Sequence, residues 1–543
     1  MRVLGINAVF HDPAAALLVD GRVVAAAEEE RFSRRKHGKR PVPFAAWELP
    51  EQAAIWCLEY AGLSPADLDA VAYSYDPQLA RPAEELGVDD PWDWLRQEYA
   101  RRAPAFLAAA LPGLDPGVVR FVPHHIAHAA SAALAAPVTE GHGNCASLVL
   151  DGRGEATSHL ASHWRDGHPQ PLYAQRLPHS VGLMYEELTE HLGFVRSSDE
   201  YKVMALAAYG TPRFLPELSE LVRTTGDGGF ITERIDWAAF AKRRSAADPI
   251  TEDHADLAAS VQARLEQVLL ELTRWLYDAT GGERYLTMAG GVALNCVANA
   301  RIAADGPFER VWIQPAAGDA GTALGAALYV ARTGGERVEP MPGVDLGRGF
   351  SDQEIEQALR RARVRYTRPA SITEEAAECL AADGIVAWFS GRSEYGPRAL
   401  GHRSLLAHPG YAWNLERLNE VKGREQFRPV APMVLADRAA EIFQGVLPSP
   451  YMLFVHTVAP AWRERIPAVV HVDGTARVQT VADGPVADLL RAFHARTGLP
   501  VLVNTSLNTA GRPMVDTVRD ALELFGSAPV DLLAIGPFAV RRA

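Results

Sequence analysis

Cysteine is scarce and dispersed in this chain. Cys57, Cys145, Cys296 and Cys379 stand singly among 543 residues with no CxxC pair, which argues against zinc ribbons, dithiol redox motifs and a disulfide framework. A reducing cytoplasm is the expected compartment. No stretch approaches the roughly 20 apolar residues of a membrane span. The opening MRVLGINAVFHD is interrupted by His11 and Asp12 too early for a signal peptide. Positive charge is in deficit as well. A formal net charge of −13 argues against a nucleic-acid-coating surface, because phosphate backbones are held mainly by Lys and Arg. No nucleic-acid or membrane partner is expected, a homodimer is compatible, and any basic site must be local.

Core-forming residues are plentiful at 48% apolar content. At roughly 150 residues per domain, the length predicts two to four lobes. Residues 2–30 read as two or three strands with turns at His11–Pro13 and Asp20–Gly21, the Asp-Gly pair being a hairpin signal. Residues 145–172 repeat the pattern of strand, Gly turn, strand, Asp-Gly turn and strand. Such duplication is what the actin-like superfold shows. Apolar spacing of three and four predicts core-facing helices over 51–63 and 255–280. RYLTMAGGVALNCVANARI (284–302) and RVWIQPAAGDAGTALGAALYVAR (310–332) each read as strand, Gly-rich turn and helix, a shape that can offer backbone N–H groups to an anion. Residues between about 333 and 368 are Gly-, Pro- and charge-rich. The expected division is therefore a first domain over 1–345, a linker over 346–368 and a second α/β domain over 369–543.

Two separated polar constellations stand out. In the second domain, GRSEYGPRALGHRS (391–404), KGREQFRP (422–429) and VNTSLNTAGRP (503–513) bring Arg398, Arg403, Lys422, Arg424 and Arg428 together with Asn504, Thr505, Ser506 and Asn508. Guanidinium forks and a compact ammonium in Gly/Pro loops fit several phosphates bound at once. In the first domain, His124 and His128 stand four apart in an Ala-rich segment and share one face of a helix. Asp151 and Asp319, each in a Gly-rich turn after a strand, supply carboxylates for one metal ion. The alternative is a histidine pair with capping or core roles. A mixed N/O site with open positions suits Fe(II), Mn(II) or Zn(II). His11 is either a general base or a turn-stabilising histidine, and Lys36 belongs to a basic run over 30–40.

Read together, HDPAAALLVDG, EERFSRRKH, HHIAHAASA, DEYKVMALAAYG, GGVALNC, GDAGTALGAA, GPRALGHRS, KGREQFRPVAP and NTSLN resemble the nodulation-factor and cephamycin O-carbamoyltransferases, in order and over almost the whole chain. The resemblance implies an N-terminal actin-like domain similar to the tRNA threonylcarbamoyl transferases, and a C-terminal domain similar to the threonylcarbamoyl-AMP synthases. It also implies a reaction. In the C-terminal domain carbamoyl phosphate is cleaved and its carbamate is adenylated by ATP, with Mg expected beside the nucleotide. At the N-terminal metal site the carbamoyl group then passes to a hydroxyl of a small molecule. The resemblance assigns Arg398, Lys422, Arg428 and Ser506 to the phosphates and carbamoyl phosphate. Arg477, Asn504 and Asn508 stand beside them. His124, His128, Asp151 and Asp319 surround the metal, with Fe(II) first among the three ions. His11 is the base or substrate-orienting residue, Lys36 lies near the adenylate, and Gly290, Gly291, Asn295 and Lys202 line the nucleotide. The family often has Gly and Pro where this chain reads MALAAYG, a difference that Ala205 and Ala208 confine to packing.

A hydrogenase-maturation carbamoyltransferase would add an acylphosphatase domain and CxxC fingers that this chain lacks. An actin-like small-molecule kinase would leave the second domain idle, and a nucleotide-gated chaperone would leave the His/Asp cluster and KGREQFRP unexplained. The acceptor is expected against residues 76–118, with Trp92, Trp94 and Tyr99.

Overall fold

The computed structural model describes residues 1–38 and 49–542, to which all strand counts refer. Lys39 and Arg40, the end of the basic run, lie outside them. Two compact units emerge, Met1–Gly343 and Val344–Ala543.

The first unit is built twice from one plan. Strands β1 (Arg2–Asn7), β2 (Ala14–Val19) and β3 (Arg22–Glu28) form an antiparallel meander. β4 (Ala70–Tyr73) and β5 (Val119–Phe121) extend it in parallel to the order β3-β2-β1-β4-β5. The second copy uses β6 (Cys145–Leu150), β7 (Thr157–Arg165) and β8 (His168–Arg176) as the meander. After a short ribbon of β9 (Val222–Thr224) and β10 (Phe230–Thr232), β11 (Tyr285–Ala289) and β12 (Arg310–Ile313) complete the order β8-β7-β6-β11-β12. Even the hairpin turns agree: Asp20–Gly21 and Asp166–Gly167 each place both residues at positive φ, the geometry that matches strand twist in two-residue turns. This is the actin-like duplication expected from the sequence.

Small residues let the two copies share a tight helical layer. A Cβ on Gly5 of β1 would fall 1.8 Å from the Ala323 carbonyl in helix Ala320–Thr333. On the same helix, a Cβ on Gly325 would fall 1.8 Å from the Ala127 carbonyl in helix His124–Ala133. Both contacts require glycine, and they hold the first turns of the two helices, with His124, His128 and Asp319, near one another.

The second unit is an α/β structure around a mixed seven-stranded sheet of order β19-β15-β20-β14-β13-β21-β22. Its strands are β13 (Val386–Phe389), β14 (Arg403–Ala407), β15 (Ala431–Leu435), β19 (Gln479–Val481), β20 (Val501–Ser506), β21 (Leu532–Ile535) and β22 (Phe538–Arg541). A small sheet of β16 (Phe443–Gln444), β17 (Val455–Val458) and β18 (Thr475–Arg477) stands beside it.

The expected linker over 346–368 is corrected here. Asp352–Ala362 is a helix opened by a Ser351/Glu354 capping box, and it buries Ile355 and Leu359 in the core of the second unit. Burying two such side chains contributes about 1.5–3 kcal/mol each, which outweighs the polar composition of the segment. All four cysteines are buried, and none of them forms a disulfide. Among the described residues, no helix is long and apolar enough to cross a membrane.

Candidate functional site

Each predicted constellation lies within a single unit. In the first, His124 and His128 project from one face of their helix, Asp151 follows β6, and Asp319 stands at the N-cap of helix Ala320–Thr333. All four are buried, and one donor atom from each lies within 4.8 Å of every other. His124 Nε2 is 3.3 Å from Asp151 and 3.6 Å from Asp319, while His128 Nε2 is 3.8 Å and 3.5 Å from the same carboxylates. Most of these separations exceed a hydrogen bond and match the span between two donors sharing one ion at about 2.1 Å each. Both ring nitrogens of the fully buried His128 lack a hydrogen-bond partner. Burying an unsatisfied imidazole is costly, and a cation would remove that cost. Two imidazoles and two carboxylates therefore fit a divalent transition-metal ion.

Neighbours hold the donors in place. The Ser74 carbonyl lies 3.3 Å from His124 Nδ1, so Nδ1 carries the proton and Nε2 faces the cluster. Gly291 N–H donates to Asp151 Oδ1 at 2.9 Å. Gly290 turns at φ 92, where a Cβ would strike the Leu150 carbonyl at 2.1 Å. The buried Glu155 accepts from His124 N–H and Asp76 N–H, both at 2.8 Å, fixing the helix N-terminus. Burial opposes a charged His124, but the hydrogen bond to Asp151 and the charges of Asp319 and Asp151 lift its pKa to about 9. Phe10 meets the His124 ring edge-on at 5.5 Å, and Arg96 and Arg153 lie over its face at 5.2 and 4.9 Å.

His11 lies in the turn after β1, one third exposed, with Nδ1 2.9 Å from Asp12 Oδ2. Burial lowers its pKa, but the charges of Asp319, Asp12 and Asp151 prevail and raise it well above the ordinary histidine value. Lys36 is half-buried beside His37. Asn295 Oδ1 caps helix Cys296–Asp305 through Ala298 N–H, and its amide pairs with Gln262 at 2.8 and 3.1 Å. Lys202 pairs with Asp199 at 3.0 Å.

In the second unit, Lys422 ends helix Asn414–Lys422 and is 5% exposed. Its ammonium faces the Ser506 carbonyl, Ser506 Oγ at 3.1 Å, the Asn508 carbonyl at 3.1 Å and Asn508 Oδ1 at 2.5 Å. Ser506 Oγ in turn donates to Asn508 Oδ1 at 2.7 Å. Arg398, Arg428 and Arg477 are half-buried, and Arg428 stands 3.7 Å from Glu425.

Two residues of the expected phosphate set are buried in contacts with the protein itself. Arg403 is fully buried over the Phe389 ring, and its guanidinium donates to the carbonyls of Ser390, Gly391, His402 and Arg348. Asn504, 1% exposed, donates to the Ala399 carbonyl at 3.0 Å and to Gln479 Oε1 at 2.8 Å, and Gln479 donates to the Leu400 carbonyl at 2.8 Å. Glu394, also buried, accepts from Leu400, His402 and Arg403 N–H groups at 2.7, 2.9 and 3.2 Å. Together these side chains fix the backbone that follows Arg398. Gln479, Glu155 and Ser74 escape sequence reasoning because their partners are remote in sequence, and Glu394 because its partners are backbone N–H groups of an irregular loop.

Comparison with known proteins accords with this two-part arrangement. The family description "Carbamoyltransferase N-terminus" matches residues 2–107 and 105–328, and "Carbamoyltransferase C-terminus" matches residues 377–542. An uncharacterized protein of Synechocystis sp. is 37% identical over 99% of this chain and 96% of its own length. Nodulation protein NolNO of Sinorhizobium fredii is 37% identical over 99% of this chain and 80% of its own. Nodulation protein U of Rhizobium tropici is 31% identical over 96% of this chain and 93% of its own. The chain belongs to the carbamoyltransferase family and is an enzyme of that kind.

Proposed function

We propose that this enzyme is an ATP-dependent O-carbamoyltransferase that works in two steps, activation in the second unit and transfer in the first. The observation that carries the reading is that each unit builds its own polar site, a Lys422–Ser506–Asn508 cradle in one and a four-donor His/Asp cluster in the other. In the first step water hydrolyses carbamoyl phosphate, its oxygen replacing the bridging bond that breaks, to give carbamate and phosphate. The carbamate oxygen then attacks the α-phosphorus of ATP and pyrophosphate departs, leaving carbamoyl-AMP. Lys422, Arg398, Arg428 and Ser506 would hold the phosphates and the carbamoyl phosphate, with Mg accompanying ATP.

In the second step a hydroxyl oxygen of the acceptor, a natural product such as an antibiotic, sugar or polyketide, bonds to the carbamoyl carbon. The bond from that carbon to the adenylate oxygen breaks, and AMP leaves with the electron pair. His11 Nε2 takes the hydroxyl proton. His124, His128, Asp151 and Asp319 would hold a divalent ion, Fe(II) or else Mn(II) or Zn(II), which supplies Lewis-acid polarisation when bound. Residues 76–118, with Trp92 and Trp94 exposed, are proposed to receive the acceptor.

The test supplies ATP and carbamoyl phosphate to the purified enzyme and follows the nucleotide products. AMP and pyrophosphate are expected in equal amounts. ADP in their place would overturn the adenylate route. A panel of hydroxylated natural products, read by the mass gain of one HNCO unit, identifies the acceptor.

A further inference from the structure

The turn after β1 carries more than a lone histidine. Asp12 offers one carboxylate oxygen to each of two imidazoles: Oδ2 lies 2.9 Å from His11 Nδ1, and Oδ1 lies 2.9 Å from His37 Nδ1. The two rings therefore share a single carboxylate. The backbone is bent to achieve this, since Phe10, Asp12 and His37 all adopt left-handed φ values of 55, 50 and 60°. Such a conformation persists only where the surroundings over-determine it. Here Asn7, fully buried, donates to the carbonyls of His11 and Asp12 at 2.9 Å each. Asp12 N–H donates to the His37 carbonyl at 3.2 Å, and His37 N–H donates to Glu30 at 2.8 Å.

An ionised carboxylate accepts and never donates, so both imidazoles must carry their proton on Nδ1. In the neutral His11 ring that leaves the lone pair on Nε2, the atom required of a proton acceptor. His37 Nε2, by contrast, is buried and has no hydrogen-bond partner, so its ring has no outlet for the same chemistry.

We infer that Asp12 is a positioning residue for carbamoyl transfer: it fixes the tautomer and direction of His11, while His37 occupies its second oxygen and keeps the carboxylate from turning away. The inference rests on the reading of His11 as the base. It adds two residues, Asp12 and His37, whose role is to set one proton.

Asp12→Asn is the decisive variant. Asparagine tolerates left-handed φ as aspartate does, so the turn survives, but its amide can accept from only one imidazole and must donate to the other. We expect ester formation at saturating acceptor to fall about 10²–10⁴-fold, the usual range for losing general-base catalysis. Acceptor KM, pyrophosphate release and the thermal midpoint should be unchanged. With ¹⁵N-labelled histidine followed to a pH at which the ring is neutral, the His11 ring, assigned by its loss in His11→Gln, should show the Nδ1–H tautomer in the wild type and lose it in Asp12→Asn. His37→Asn, which keeps a donor in place of Nδ1–H, should retain at least about tenfold more transfer activity than His37→Leu. An Nε2–H tautomer in the wild type, or full activity in Asp12→Asn alongside an inactive His11→Ala, overturns the inference alone. Full activity in His11→Ala overturns the base assignment, and the inference falls with it.

Discussion

Thr322 Oγ1 lies 2.8 Å from Ser74 Oγ and 2.6 Å from the carbonyl of Asp319. Ser74 Oγ in turn donates to Asn7 Oδ1 at 3.3 Å, and Asn7 staples the His11–Asp12 turn. One fully buried chain of hydroxyls and an amide thus joins the turn bearing the proposed base to the N-cap carboxylate Asp319, a proposed metal ligand. Thr322→Val keeps the shape and removes the link. Leaving buried polar groups unsatisfied costs about 1–3 kcal/mol, so the unfolding transition of the first unit should shift down. Ester formation should fall while pyrophosphate release persists, because activation is proposed to lie in the other unit. Equal loss of both would show that Thr322 serves the fold alone.

His128→Ala should uncouple the two steps. Its nitrogens, fully buried and without hydrogen-bond partners, are the clearest sign that the cluster could hold a cation. We expect the variant to lose bound metal by elemental analysis and to lose ester formation, yet to go on releasing pyrophosphate from ATP and carbamoyl phosphate. Full metal content in the variant would remove His128 from the ligand set.

Lys422→Ala should act in the opposite sense. Its ammonium organises Ser506 and Asn508 at the end of β20, and losing one buried phosphate partner typically costs about 1–3 kcal/mol, more for a charged group. Carbamoyl-AMP formation should be abolished in this variant and in Arg398→Ala, and added carbamoyl-AMP should restore transfer. Failure of that rescue would show that the division of labour between the units is wrong.

Much of this was legible in the sequence, and the remainder was hidden for an identifiable reason. The two meanders announce themselves through Asp-Gly turns between apolar runs, which are local signals. His124 and His128 are four apart on one helix, so their shared face follows from helical geometry. Arg403 and Asn504 carry the same side-chain chemistry as phosphate ligands. Only the tertiary structure shows Arg403 buried against Phe389, or Asn504 bonded to Ala399, 105 residues away. Helix Asp352–Ala362 was masked by its charge, because two buried residues among eleven suffice when a capping box fixes the start. Asp12 and His37 were visible as residues but not as a pair, since 25 positions separate them.

Glu200 gives a prediction on pH. It opens helix Glu200–Ala207, where Ser197 N–H donates to its Oε1 at 2.8 Å. Burial, and next the charge of Glu186, push its pKa up to about 7 from an ordinary 4.5, with His11 and the backbone hydrogen bonds working the other way. A carboxyl whose pKa is higher in the folded state binds its proton more tightly there, so folding gains from the group while it is protonated. That gain is fully present below the ordinary value and is lost as pH rises through about 7. Between about pH 5 and pH 8 the wild type should therefore lose stability that Glu200→Gln, neutral throughout, does not lose. Thermal midpoints of both proteins measured across that window supply the comparison, with the variant gaining on the wild type as pH increases. Parallel curves would show that Glu200 titrates at its ordinary value and that its neighbours do not hold the proton.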